Sequence, residues 1–396
     1  MLLVIILVGG YLFYQNTQQN AATTEPEPGA ANAEQPEQQV GDLGRKPGPT
    51  LAPGVTVGQI GSGGSLKNDW YELYFTNPIY PDKPANHKGG PDEPLVKMMD
   101  KATKTLDVAD YDFDLANVVD AMVRAKQRGV QVRMVTDSDT LNNVKNKPVQ
   151  DAFARLKQAN IPFYGDERSP IMHNKFTVVD NKLISTGSMN YTDGDAYHLN
   201  NNLIIINNAQ LAQNYTTEFE KMFVKKTFGP NKAKGVPNPV LDIGGVKVEN
   251  YFSAEDGVAA KVMDTLKSAK QSIYFMAFSF THNGLTQTLV ERQTAGVKIG
   301  GVFETTGSST PFSAFGKLKK AGVQEVYTDG NPWVMHHKVF IVDEQIVVFG
   351  SFNFSDNADK ANDENLLIVH DPNMAKAFKA EYDRVLALAK NPPTKK

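Results

Sequence analysis

Residues 172–190 of this chain recur 163 positions later, at 335–353. The first copy reads Met172-His173-Asn174-Lys175-Phe176-Thr177-Val178-Val179-Asp180, then Gly187-Ser188-Met189-Asn190. The second reads Met335-His336-His337-Lys338-Val339-Phe340-Ile341-Val342-Asp343, then Gly350-Ser351-Phe352-Asn353. Asn202 and Asn365, each opening an apolar run, keep the same offset. Self-similarity at a fixed spacing limits a fold more than any local propensity does. The body of the chain is therefore expected to be two copies of one unit, over residues 66–228 and 246–396. A Gly-, Pro-, Lys- and Asn-rich stretch at 229–245 reads as the linker between them.

Each copy alternates strand and helix signals. Glu72–Phe75 and Leu106–Phe113 read as strands, Leu115 to Gln127 as a helix ended by Gly129, and Val130–Val135 as the next strand. The second copy repeats this with Ser272–Phe280, a helix from Gly284 to Thr294, Gly296, and Val297–Phe303. Amphipathic helices close both copies, at Ala209–Phe223 and Met374–Ala389. The expected class is α/β, with a largely parallel or mixed sheet in each repeat.

Ahead of the body, Met1 to Tyr14 is apolar but shorter than the roughly 20 residues of a spanning helix. It reads as a signal peptide or membrane anchor, although no Lys or Arg precedes Arg45. Residues 15–65, rich in Gln, Pro, Ala, Glu and Gly, read as a disordered tether. Together these predict an exported or membrane-anchored protein whose body lies outside the cytoplasm.

Net charge is −3, and the first fifty residues carry five acids and two bases, so the body is neutral overall. No global basic field draws a polyanion to it. The chain has no cysteine, which excludes disulfides, thiolate metal sites and a cysteine nucleophile.

His-x-Lys on a strand places an imidazole and an ammonium on one face, because side chains alternate. Both can then converge on one phosphate. The Ser hydroxyl and Asn amide, two residues apart in Gly-Ser-x-Asn, add further donors. Two facing sets would clamp a pentacoordinate phosphorus between Lys175, Lys338, Asn190 and Asn353, with Ser188 and Ser351 alongside. Donors aimed at developing charge are usually the largest catalytic term. One such motif could arise by chance; two in register are highly specific.

The pair resembles the phospholipase D superfamily, whose signature is a duplicated H-x-K-x-x-x-x-D with G-S-x-N. The resemblance covers Asp69 to Lys390, and the stretch from Gly350 to Asn365 is most similar to the small bacterial endonucleases of that superfamily. It implies two α/β repeats packed about a pseudo-twofold axis around a single site, as an internal pseudo-dimer in a monomeric chain. It also implies a phosphodiesterase in which one histidine attacks phosphorus and the other protonates the leaving oxygen. No metal and no cofactor would be needed. Asp180 and Asp343, which complete the motifs, fall after four strand residues and are expected to support the turn.

The repeats differ at one informative position. The second has Glu364, where the family's histidine-orienting carboxylate commonly sits, and the first has Asn201. A carboxylate raises a histidine's pKa. On the expectation that each histidine is oriented within its own repeat, His173 is the nucleophile and His336 the general acid. The asymmetry also resembles the tyrosyl-DNA phosphodiesterase branch.

Other residues carry weaker expectations. Trp333 could stack on a base or a headgroup, His337 should point away from the site, and His87, His198, His282 and His370 show no ligand spacing. Asp110, Asp112 and Asp114 share a strand face and read as a solvated strand end, and Lys126, Arg128 and Arg133 form a small basic patch. The endonuclease-like motif favours nucleic acid as substrate. The N-terminal apolar segment favours the alternative, a phospholipase D or phosphatidyltransferase acting on phospholipid headgroups. A catalytically dead binding module is disfavoured by two intact motifs.

Overall fold

The computed structural model describes residues 56–60 and 63–393. The expected leader and most of the tether lie outside them. No helix among the described residues is long and apolar enough to cross a membrane.

The first repeat builds strands β1 (Thr56–Ile60), β2 (Gly63–Lys67), β3 (Tyr71–Phe75), β4 (Thr105–Asp110), β5 (Gln131–Thr136), β6 (Phe163–Gly165), β7 (Lys175–Val179), β8 (Leu183–Gly187) and β9 (Asn202–Asn207). They form one sheet in the order β1-β2-β3-β9-β8-β7-β4-β5-β6. The second builds β10 (Val240–Ile243), β11 (Val246–Ser253), β12 (Ser272–Ala277), β13 (Lys298–Phe303), β14 (Val326–Thr328), β15 (Lys338–Val342), β16 (Ile346–Gly350) and β17 (Glu364–Val369). Their order is β10-β11-β17-β16-β15-β12-β13-β14, so the core of the first sheet is repeated. Both sheets are mixed: β4-β5-β6 and β12-β13-β14 pair in parallel and the rest antiparallel.

Two expected boundaries move. The last residues assigned to the tether are strands, because Thr56–Ile60 and Gly63–Lys67 form a hairpin that continues onto β3. The stretch at 229–245 is more than a spacer. It supplies β10 at the sheet edge and buries Lys232 among Glu218, Glu255 and Asp363.

The helices follow their sequence patterns. Ala116–Gln127 buries Val118, Val119, Met122 and Ala125, which share one face at three- and four-residue spacing. It ends at Gly129, whose φ of 86° suits glycine, and Asn283–Thr294 ends alike at Gly296 with φ 88°. Strands β4 and β12 are shorter than expected. The chain leaves the sheet at Tyr111 and Phe278 so that Phe113 bridges Tyr191 and Phe280 bridges Phe354.

The closing helices, Ala209–Phe223 and Pro372–Lys390, lie in a core shared by the two repeats. Phe176, Ile204, Tyr215 and Phe219 of the first join Phe252, Val339, Phe349 and Phe378 of the second in one buried cluster. Each repeat keeps its own outer helix layer over the other face of its sheet. Apolar area buried in that shared layer, worth about 25 cal/mol per Å², helps hold the repeats together.

Candidate active site

Each motif histidine sits just before a central strand, and the chain there runs beside the other repeat. Met172 bridges Asp363 and Met335 bridges Asn200. His173 N donates to Asp363 O at 2.9 Å, and His336 N donates to Asn200 O at 3.0 Å. The segments leading into both motifs are thereby stitched across the pseudo-twofold axis.

That stitching crosses the expected partners over. Nδ1 of His173 lies 2.7 Å from Oε2 of Glu364 in the second repeat. Nδ1 of His336 lies 3.0 Å from Oδ1 of Asn201 in the first. The expectation that Glu364 serves His336 is therefore overturned: position 364 opens β17, which faces the opposite motif. Ser351 Oγ donates to the same Glu364 oxygen at 2.8 Å, and Ser188 Oγ donates to Asn201 Oδ1 at 2.7 Å.

His336 does have a carboxylate nearby, from a residue the sequence did not single out. Asp195 Oδ1 is 3.3 Å from His336 Nδ1 and accepts from Asn201 Nδ2 at 2.9 Å. Asn190 and Thr192 also donate to Asp195. The position 163 residues later is Ala358. Each histidine thus has one acid, supplied from a different place in each repeat. The missing glutamate at Asn201, beside an acid at 195 with none at 358, was the available signal.

Lys175 and Lys338 are fully buried, and each donates to the carbonyl of its own motif histidine, at 2.9 and 2.8 Å. Burial lowers the pKa of both, and for Lys338 the charge of Lys175 adds to the effect and leaves it well below the usual lysine range. Their neighbours across the sheet explain the contrast. Lys175 pairs in register with Asp110, while Lys338 pairs with Ala277. Asp110 is buried rather than solvated, and burial pushes it well above the usual carboxylate range, with Lys175 pulling the other way. Two lysines buried in one site, whose charged forms burial disfavours, suit it to an anion that would stabilise them.

Burial and the charges of Lys175, Lys338 and His336 hold His173 well below an ordinary imidazole. Burial brings His336 down to about 4 despite Asp195. Burial thus disfavours the charged form of both rings, and a bound anion would restore it. Burial pushes Glu364 up to about 8, opposed by Lys175 and by its hydrogen bonds to Ser351 and Asn362. Aromatic walls complete the site: Tyr111 packs edge-on against His173 and Phe278 against His336, with ring centroids 5.1 and 4.8 Å apart. The oxygens of Asn190 and Asn353 are buried with no hydrogen-bond partner.

Asp180 and Asp343 are placed away from this centre. Asp180 accepts from the backbone of Thr103, Lys104 and Thr105, and Asp343 from Lys270, Gln271 and Ser272. At about 3.3 Å per residue, five residues of strand separate each from its lysine by roughly 16 Å. They fix turns and cannot touch a phosphate held by the lysines. The glycines of Gly-Ser-x-Asn have a different duty: a Cβ on Gly187 or Gly350 would come within 2.3 Å of the carbonyl oxygen of Asn202 or Asn365.

The sequence profile of the family described as "Cardiolipin synthase, PLD-like domain" matches residues 95–223 and 262–386, one stretch in each repeat. A "Phospholipase D" from Rickettsia bellii is 32% identical over 132 residues, which is 33% of this chain and 65% of that protein. Another "Phospholipase D", from Rickettsia typhi, is 31% identical over 163 residues, 41% of this chain and 79% of that one. In fold, the phosphatidylserine synthase of Haemophilus influenzae superposes with a TM-score of 0.58 at 12% identity, over 75% of this chain and 83% of that one. The duplicated motif and the profile single out the same two segments, and the chain belongs to the phospholipase D superfamily of phosphodiesterases.

Proposed function

We propose that the protein cleaves phospholipid headgroups through a phosphohistidine intermediate, with His173 as nucleophile. The observation that carries the reading is the meeting of both His-Lys pairs in one buried, cation-rich site. The diester phosphate would sit between Lys175 and Lys338 and stabilise the charged form of both. Nε2 of His173 attacks phosphorus, and the departing oxygen takes a proton from the imidazolium of His336, a charge that the bound phosphate and Asp195 would stabilise. His336 then removes a proton from water, which attacks phosphorus and releases His173.

Because the glutamate partners His173, a raised pKa on His336 cannot be the basis of this division of labour. The basis lies instead in the partner's effect on the nucleophile. A carboxylate that accepts Nδ1–H leaves the Nε2 lone pair free and stabilises the ring cation formed by phosphorylation. Burial and the lysines disfavour the cation of the free ring even with that partner. Asp195 and Asn201 hold His336 for proton transfer.

A lipid is favoured over nucleic acid by the charges near the site. Two of the three bases of the small basic patch are taken: Arg133 by Asp107 and Glu220, and Arg128 by Asp100. Asp112, Asp137, Asp139 and Asp166 act instead on Tyr111 beside His173. Carboxyl groups this close to the nucleophile disfavour a polyanionic strand more than a single headgroup phosphate. The names of the curated relatives point the same way. Purified enzyme should release headgroup from phosphatidylcholine or phosphatidylethanolamine vesicles and leave single-stranded DNA largely intact. Degradation of DNA with no lipid hydrolysis would restore the nuclease reading.

A further inference from the structure

Outside the catalytic pair, two histidines that show no ligand spacing in sequence are brought together with a carboxylate. Nε2 of His87 lies 2.8 Å from Oδ1 of Asp82, and Nε2 of His198 lies 3.2 Å from the same oxygen. All three donor atoms fall within 4.8 Å of one another. We propose that Asp82, His87 and His198 form a binding site for one divalent transition ion of the zinc type.

Three further observations support an ion rather than a polar cluster. First, His198 is only 3% exposed, yet neither ring nitrogen has a hydrogen-bond partner. Its Nε2 approaches the Asp82 oxygen that His87 already holds. A buried imidazole left so costs free energy that an ion would offset. Second, the other nitrogen of His87 is held by a carboxylate, Nδ1 lying 3.0 Å from Asp193 Oδ2. A metal-binding histidine commonly has this outer partner, which fixes the ring and the tautomer. Third, both rings are braced face-on by aromatics: His87 stacks on Tyr197 at 4.8 Å and His198 on Trp333 at 4.6 Å.

The spacing also fits the ion's size. With bonds of about 2.0–2.2 Å, tetrahedral ligands stand roughly 3.3–3.5 Å apart, so His87 at 2.8 Å and His198 at 3.2 Å from the Asp82 oxygen would move apart by a few tenths of an ångström to admit the ion. Two imidazoles and one carboxylate suit zinc and its neighbours in the transition series better than calcium or magnesium. The ligands span two segments: the loop carrying Asp82 and His87, and the turn at His198 that precedes Asn200 and Asn201. Trp333, stacked on His198, lies three residues before His336. An ion here would pin the loop of the first repeat against the segment leading into the second motif. It would take no part in the phosphoryl transfer.

The test uses the full chain, freed of metal by chelation and titrated with zinc by calorimetry, and with cobalt by visible absorption. The wild type should take up a single zinc ion with a rise in melting temperature, and cobalt should give the intense bands of a tetrahedral site. His87→Gln, Asp82→Asn and His198→Gln should each weaken uptake at least tenfold, while His173→Ala and His336→Ala keep it. The exposed Asp82→Asn and the His87→Gln variants decide the matter if His198→Gln fails to fold. Absence of stoichiometric uptake would overturn the proposal. So would uptake unchanged in Asp82→Asn and His87→Gln, or uptake lost only with a catalytic histidine.

Discussion

Glu364 of the second repeat holds His173 of the first at 2.7 Å, whereas Asn201 of the first holds His336 of the second at 3.0 Å. One histidine therefore leans on a carboxylate and the other on an amide backed by Asp195, 3.3 Å away.

The Glu364 carboxyl keeps its proton to about pH 8 in the fold, against a usual 4.5. Between those values the native state binds more protons than the unfolded chain, so this group's contribution to stability falls as pH rises through the window. Glu364→Gln should melt near the wild-type temperature at about pH 5 and several degrees above it at about pH 8. It should also lose about 10–100-fold in rate, as a partner of a working histidine does. Thermal melts at both pH values check this; a variant equally destabilised at each would contradict it.

The same group sets a pH profile. His173 attacks only after the proton shared with Glu364 has left, so kcat/KM on bis-p-nitrophenyl phosphate should rise with pH and level off near pH 8. Glu364→Gln should remove that rising limb. A wild-type profile flat from about pH 6 to 8 would count against the nucleophile assignment.

His173→Ala and His336→Ala should differ by leaving group. Without His173 no covalent intermediate forms, and even a p-nitrophenyl ester should go uncleaved. Without His336 that ester should lose far less than a lipid, since acid help is worth about 10²–10⁴ and p-nitrophenolate departs unaided. The His336→Ala enzyme should accumulate a phosphohistidine; trapping the adduct on His336 in the His173→Ala enzyme would reverse the roles.

Asp195 acts through His336, as a positioning residue. Asp195→Ala should slow substrates with poor leaving groups about tenfold and spare the p-nitrophenyl ester, with Asp195→Glu recovering part of the loss. An equal loss on both substrates would mean that Asp195 only supports the fold around Asn190 and Thr192.

Hydrolysis of the p-nitrophenyl ester should survive excess EDTA, because Lys175 and Lys338 supply the charge that a metal would otherwise bring. Loss of rate that returns with a divalent ion in the His87→Gln variant, whose proposed ion site is broken, would refute the mechanism.

Much of this was legible in the chain itself. A constant offset of 163 between His173 and His336, Lys175 and Lys338, and Asn190 and Asn353 fixes the duplication, and alternation on a strand puts each His and Lys on one face. The glycine stops at Gly129 and Gly296 locate the same helix in both repeats. What a repeat cannot encode is which copy answers which. Positions 364 and 201 stand in the same register to their own motifs, so the spacing is blind to a swap. The swap follows from packing the two sheets about an axis, which brings the start of β17 to His173 and the start of β9 to His336. Burial was hidden for the same reason. Asp110 reads as a strand end open to water until β7 lies beside it and sets Lys175 opposite. His87 and His198 are 111 residues apart and meet only because a loop folds back over a turn. Sequence spacing reports on neighbours along one element, and the charges and partners of this site come from elements that only tertiary packing places side by side.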